Sequence, residues 1–300
     1  MKMRDGRVLR KISSIKENDL FHLNQRILEI RRHRFYQNLK SADATVVWER
    51  VSTGYRIVDL QLDKFIQAIR FVLVHLQANS SQTEPLSKAV GLFDDAVSMR
   101  SLLHKLFDKL NENLSFCALQ DGTSELVGVL IASIFDKTQW ELALKLPGEG
   151  LRHITMLRNY VMAKAMFYET VDSNNLVRID IFCVKLDHQK KGIGTALLRS
   201  CLTRASAFAN AFVGEFTSGA SQTVARRLNF EVISELPYEN IGSDIHKFHI
   251  FEECYPQNYS IACMAAKITL PLQYHPSIMS VSVRKLQSKT KTSKQTRKKK

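Results

Sequence analysis

The sequence predicts a mixed α/β domain built around one sheet. Three observations carry this. Strand-like and helix-like stretches alternate through the middle of the chain with no internal repeat. The stretch Val177 to Leu186 is apolar on both faces, at Ile179, Ile181, Phe182, Cys183 and Val184, the pattern of a central strand covered from two sides. A loop with two glycines, Gly192 and Gly194, leads from that strand straight into an amphipathic helix.

Residues 1–40 read as a basic extension, helical from about Asp19, where Leu20, Leu23, Ile27, Leu28 and Ile30 recur at roughly helical spacing. Asp5 and Glu17 count against a mitochondrial presequence. Gly54 to Leu60 alternates as a strand does, and Asp63 to His75 follows as a helix with Phe65, Ile66, Ile69, Val72 and Leu73 on one face. A second helix runs from about Ser98 to Leu110. Strands over Ser115 to Gln120 and Leu126 to Ile134 flank the turn signal Asp121-Gly122. Leu151 to Thr170 reads as a helix, then the central strand. Gly192 to Asn210 is a helix with Leu197, Leu198, Cys201, Leu202 and Phe208 toward the core. A strand at Ala211 to Phe216, a short helix at Ser221 to Leu228 and a strand at Phe230 to Ile233 follow. Late strands are expected at Phe248 to Phe251 and Ile261 to Lys267. The domain is thus expected over residues 46–283, between a 1–45 extension and a disordered 284–300 tail rich in Lys, Ser, Thr and Gln.

The chain of 300 residues carries a net charge of +14. Residues 1–40 account for +7 and residues 284–300 for +9, which leaves −2 for residues 41–283. The basicity therefore belongs to the two ends. The tail is expected to meet nucleic acid only non-specifically, or to act as a nuclear address on an otherwise cytoplasmic protein. The longest apolar runs, Leu126 to Phe135 and Phe71 to Leu76, are too short to cross a bilayer, so no membrane partner is expected. Cys117, Cys183, Cys201, Cys254 and Cys263 are odd in number and widely spaced, and no Cys or His pair has metal-ligand spacing. They read as reduced thiols, and no metal is expected.

The loop Gln189-Lys190-Lys191-Gly192-Ile193-Gly194 carries the chemistry. Glycines at a helix start let the backbone come close to a bound group. The unpaired first-turn N–H groups and the helix dipole favour an anion there, and Lys190 and Lys191 add charge. A Walker loop is excluded, because Gly-x4-Gly-Lys-Ser/Thr is absent. A dinucleotide loop is excluded because Leu197 stands at the third glycine position.

What remains, Gln-x-x-Gly-x-Gly, resembles motif A of the GNAT N-acyltransferase superfamily. Further segments resemble the insect arylalkylamine (dopamine-type) N-acetyltransferases: Glu84-Pro85-Leu86, Ser221 followed by Leu228-Asn229-Phe230, and Leu236-Pro237-Tyr238. They fall in the same order, between about Gly54 and Lys267. Lys190 and Lys191 depart from the small or apolar residues common there, and Asn229 replaces a glycine, a neutral change at a left-handed helix end. Thr217 stands where serine is common.

The resemblance implies a GNAT fold, a mixed and mostly antiparallel sheet flanked by helices, with a splayed central strand. It implies acetyl-CoA as co-substrate, held by Val184, Gln189, Lys190, Lys191, Gly192, Ile193, Gly194 and Thr195. It implies a small primary amine as partner, an arylalkylamine first, with polyamines and protein amines as rivals and a CoA-binding module without catalysis as the rival outside enzymes. An alkylamine with a pKa near ~10 is neutral in only about one molecule in a thousand at pH 7, so a base is needed. The resemblance gives that role to Glu84, whose local sequence by itself reads instead as an acid at a helix start with Pro85 at the first helical position. It gives the polarising N–H to Val184, and protonation of the leaving thiolate to Ser221 with help from Thr217. Residues 217–221 also have the composition of a helix cap. Tyr238 reads as a core tyrosine or a pocket wall. His75, His104, His153 and His188 read as ordinary polar residues.

Overall fold

The computed structural model describes residues 46–78, 84–123, 125–135, 145–166 and 176–267. The expected helix from Asp19, the 284–300 tail and the end of the expected helix at residues 167–170 lie outside the described residues. Eight strands form one sheet: β1 (Val47–Val51), β2 (Tyr55–Asp59), β3 (Phe116–Gln120), β4 (Leu126–Ile134), β5 (Leu176–Val184), β6 (Ala211–Phe216), β7 (Glu231–Pro237) and β8 (Ser260–Lys267), in the order β1-β2-β3-β4-β5-β6-β8-β7. Only β5 and β6 run parallel; every other neighbouring pair is antiparallel.

The helices cover both faces. On one lie α1 (Phe65–Ala78), α2 (Pro85–Ala89), α3 (Ala96–Leu110) and α4 (Glu149–Lys164). Phe65, Ile69, Leu73, Phe107 and Leu157 pack there with Val129 and Ile131 of β4. On the other face α5 (Ile193–Ala205) sets Leu197, Leu198 and Cys201 against Leu130 and Ala132. Successive β4 side chains alternate between the two cores, which is why the strand reads as an unbroken apolar run. α6 (Gly219–Arg227) follows β6, and α7 (Ile241–Asp244) precedes β8.

Three expectations need correction. Phe248 to Phe251 is not a strand but part of a 3-10 helix, His246–Cys254, whose three-residue turn brings Phe248 and Phe251 to the same buried side. α5 ends at Ala205 rather than Asn210, and Phe208 lies outside the core at 45% exposure. β1 pairs with β2 although the sequence reading assigned no strand before Gly54. Elsewhere the expected elements form, and β6 keeps its expected limits.

β4 and β5 stay paired from Gly128↔Val184 to Ile134↔Val177, with an irregularity between Ile131 and Ala132 that leaves Asp180 as the extra residue on β5. β5 and β6 pair only from Leu176↔Ala211 to Ile179↔Gly214. Beyond that point they part, and the second half of β5, still paired with β4, has no strand on its other side. This is the expected splay.

One carboxylate ties two helix starts together. Asp95 Oδ1 accepts from the N–H groups of Val97 and Ser98 at the start of α3, both at 3.0 Å. Its Oδ2 accepts from Ser98 Oγ at 2.5 Å and from Glu149 N at 3.0 Å and Gly150 N at 3.3 Å, at the start of α4. The Ser98 hydroxyl and these backbone N–H groups hold the carboxyl down at about 2. A depressed carboxyl stabilises the fold above its unfolded value near ~3.9 and loses that contribution as pH falls toward about 2. Asp95→Ala should cost about 1–2 kcal/mol at neutral pH, with the difference from wild type shrinking between pH ~4 and ~2; urea denaturation across that range measures both.

Candidate active site

The site lies where β5 and β6 part. Lys185 N donates to Val127 O across β4 at 2.9 Å. In an antiparallel ladder alternate residues face alternate neighbours, so Phe182 and Val184 turn their N–H groups the other way, into the gap left by β6. The carbonyl of Val184 is taken by Gln189 Nε2 at 3.1 Å, which closes the turn out of the strand.

The chain then passes through a 3-10 turn, Leu186–His188, into the glycine loop. Lys190 has φ 60° and Gly192 φ 83°, both left-handed. Gly192 caps α5, whose first internal bond runs from Ala196 N to Gly192 O at 3.0 Å. The N–H groups of Ile193, Gly194 and Thr195 precede it and point outward. A Cβ on Gly194 would meet the Phe182 ring at 3.0 Å, so the helix start lies hard against β5 only because that position is bare. Tyr55 props the loop from behind: its hydroxyl hydrogen-bonds His188 Nδ1 at 3.0 Å and accepts from Lys191 Nζ at 3.3 Å.

Two hollows meet at this point. An outer cleft of about 370 Å³ is lined by Val184, Gln189, Lys190, Gly192, Ile193, Gly194 and Thr195. Seven of the eight residues expected to hold acetyl-CoA therefore line one surface. Lys191 does not; its ammonium lies over the Tyr55 ring, 5.9 Å from the centroid. Exposed first-turn donors, the bare Gly194 and the Lys190 ammonium suit a pyrophosphate. Arg227, exposed at the end of α6, adds a cation to the cleft that the sequence reading missed.

An inner cavity of about 100 Å³ holds Glu84, Thr217 and Ser221. Phe182, Cys183, His75 and Ser221 line both hollows. Glu84 precedes α2, with Pro85 in its first turn, yet its side chain makes no cap. It accepts instead from Thr217 Oγ1 at 3.0 Å. Burial raises its carboxyl above the usual value, and the Arg158 charge and the Thr217 hydrogen bond partly offset this. Tyr238 is a core residue, fully buried, and donates to the Thr217 carbonyl at 3.0 Å, which fixes the segment. Ser221 does belong to a helix cap: Ser218 is the N-cap of α6, and Ser221 Oγ donates to the Ser218 carbonyl at 2.8 Å. Asn229 has φ 62°, the left-handed helix end its residue type allows.

His75 was read as an ordinary polar residue. The structure buries it at the junction, stacked on Phe71. Burial pushes its imidazole down to about 4, so it is neutral at physiological pH. The sequence marked it only as the end of an apolar helix face.

The cavity wall also carries an ionic network. Glu215 Oε2 accepts from Arg178 Nε and Nη2 at 3.2 and 2.9 Å and from Arg158 Nε and Nη2 at 3.1 and 2.9 Å. Glu215 Oε1 is buried with no hydrogen-bond partner among the described residues. Arg158 also donates to the Asp180 carbonyl at 3.3 Å. Burial by itself would raise the Glu215 carboxyl, but Arg178 and Arg158 hold it below the usual range. Lys109 Nζ donates to Ser133 Oγ at 2.9 Å, which donates to Asp180 Oδ2 at 2.5 Å.

Residues 92–228 match the Acetyltransferase (GNAT) family. Residues 92–228 thus form a GNAT acetyltransferase domain, the domain of an acyltransferase enzyme. Similar solved structures include a putative arylalkylamine N-acetyltransferase 7 of the yellow fever mosquito Aedes aegypti, at 23% identity over 76% of this chain and 98% of that one, TM-score 0.59. Arylalkylamine N-acetyltransferase 2 of Aedes aegypti gives 21% identity over 72% and 99%, TM-score 0.59. A polyamine N-acetyltransferase of Drosophila melanogaster that forms N-acetylagmatine gives 16% over 71% and 100%, TM-score 0.58. At these identities the likeness is one of fold. No curated protein matches the sequence.

Glu215→Gln removes the charge that compensates the buried Arg178 and the half-buried Arg158 guanidinium groups. It should destabilise the protein by about 3–5 kcal/mol, read as a lower denaturation midpoint in urea.

Proposed function

We propose that this protein transfers acetyl from acetyl-CoA to a small primary amine with an apolar, aromatic-sized body. The observation that carries the reading is the meeting of a cleft lined by the glycine loop and a small inner cavity at the parting of β5 and β6, with Glu84 set inside the cavity. The cleft holds the pyrophosphate on the N–H groups of Gly192 to Thr195, near Lys190 and Arg227. The pantetheine arm lies along the open edge of β5, paired with its free backbone groups as an added strand.

The amine enters the cavity against Phe182, Phe216, Leu102 and Leu106. Glu84 accepts its proton, and Thr217 positions the carboxylate. The nitrogen bonds to the thioester carbon while the Val184 N–H stabilises the developing oxyanion. The intermediate collapses, the carbon–sulfur bond breaks, and the Ser221 hydroxyl passes its proton to the thiolate while taking up the second proton of the former amine nitrogen, which leaves a neutral amide, the CoA thiol and Ser221 as it began. An arylalkylamine suits these walls. The cations Lys105, Lys109 and Arg158 weigh against a polyamine, and the narrowness of the cavity weighs against a peptide.

The test is thiol release from acetyl-CoA with tyramine, dopamine, serotonin, spermidine and a lysine peptide. Glu84→Gln should lower kcat by about 10²–10⁴-fold with KM for acetyl-CoA unchanged. The fall in wild-type kcat/KM at low pH, as Glu84 takes up a proton above its ordinary value of 4.5, should vanish in the variant. Acetyl-CoA binding without turnover of any amine, unaffected by Glu84→Gln, would make the protein a CoA-binding module instead.

A further inference from the structure

The inner cavity is lined by Lys105, Lys109 and Arg158, with Arg178 directly behind. Its three acids, Glu84, Asp180 and Glu215, already have partners on the protein. Glu215 Oε2 takes both arginines, Asp180 Oδ2 takes the Ser133 hydroxyl and Asp180 Oδ1 lies 4.0 Å from Arg178 Nε. Glu84 takes Thr217. Lys109 is held by Ser133 and stands 3.5 Å from Glu112.

Lys105 differs. It sits on α3 one turn before Lys109 and makes no hydrogen bond or ion pair with any described residue. The charges around it are Arg178, Arg158 and Lys109 against Asp180. Burial first, and those three cations second, push its ammonium down to about 7. An unpaired cation in a desolvated wall is costly unless a ligand completes it. A second ammonium brought in by a polyamine would add repulsion, whereas an anion would satisfy Lys105 and restore its full charge.

We infer that the acceptor amine carries an acidic group, a carboxylate, which Lys105 binds through a charge-assisted hydrogen bond in the inner cavity. This rests on the acetyl-transfer reading above and narrows its substrate class to aromatic or aliphatic amino acids rather than their decarboxylated amines. The carboxylate occupies the cation-rich side of the cavity. The amine is thereby directed toward Glu84 and the thioester.

The experiment compares pairs that differ by one carboxylate: tyrosine and tyramine, 4-(aminomethyl)benzoate and benzylamine, 4-aminobutyrate and butylamine. The full chain is used, with acetyl-CoA for turnover and with CoA for calorimetric binding at pH 7.5. In at least one pair the acidic member should be favoured about tenfold or more in kcat/KM, as where the wrong ligand leaves a buried polar group unpaired. Lys105→Met should abolish that preference and Lys105→Arg should retain it. Binding of the acid should take up protons in wild type, seen as a dependence of the heat on buffer ionisation, and not in Lys105→Met. Turnover that is equal for both members, or better for the neutral one, overturns the inference and leaves acetyl transfer standing. Acid binding that depends on Lys105, with no turnover of any amine, keeps the inference and removes the proposed reaction. Failure of every acid both to bind and to turn over overturns it.

Discussion

The parting of β5 and β6 is the constraint on which the rest of this structure depends, and one carboxylate holds it in place. Arg178 lies on β5 one residue before the last paired position, and Glu215 lies on β6 one residue after it. Their bidentate contact clamps the strands where pairing ends. Arg158 reaches in from α4 to the same Glu215 oxygen and to the carbonyl of Asp180, the extra residue on β5. A helix is thus fastened to both strands at the place where they separate. A free strand edge inside a sheet is ordinarily a liability, because its N–H and C=O groups invite a foreign strand. Here the clamp confines that edge to the few residues from Asp180 to Val184 and leaves it facing a shaped gap.

The two hollows follow from that gap. Successive side chains along an extended strand alternate between faces, so the stretch Phe182, Cys183, Val184 can serve both sides of the sheet. Phe182 and Cys183 border cleft and cavity alike. α5 comes close enough to place its free N–H groups at the cleft because Gly194 gives way to the Phe182 ring. On the other side, α1 contributes His75 and the turn into α2 contributes Glu84. Neither could reach the junction if β6 continued beside β5. Tyr238 reaches back from the end of β7 to the Thr217 carbonyl, so the far edge of the sheet also positions the segment that carries Thr217 and Ser221.

Local features of the sequence were legible, and non-local ones were not. The limits of β6 could be read because a short apolar run stands between polar turns. The glycine loop could be read because its residues are adjacent. Glu84, Thr217 and Ser221 came from a resemblance, since nothing near Glu84 tells a helix cap from a base. The structure removes the cap reading, since the Glu84 side chain caps nothing, and the base role is the one we propose. The Arg178–Glu215–Arg158 network joins residues 37 and 57 positions apart, and no local pattern announces it. Asp95 likewise binds α4 across more than fifty residues. The errors have a common origin in short apolar spacings. Phe248 and Phe251 fit a strand by composition but recur at the three-residue period of a 3-10 helix. Phe208 continued the apolar face of α5 on paper, after the helix had already ended at Ala205.

Charge shows most clearly why an average is a poor guide to a site. Residues 41–283 sum to −2, which would suit a cationic substrate, yet the cavity wall gathers Lys105, Lys109 and Arg158, and Arg178 acts on Lys105 as well. The same cations bear on Glu84, the base we propose. A carboxylate that must take a proton from an amine gains from burial, because a higher pKa brings it closer to its task. Burial carried too far would leave Glu84 protonated at neutral pH and unable to accept anything. Arg158 and the Thr217 hydroxyl act against that rise. Arg158 thus restrains the pKa of Glu84 with the guanidinium that pins the strands apart. The electrostatics of Glu84 and the geometry of the gap share one side chain.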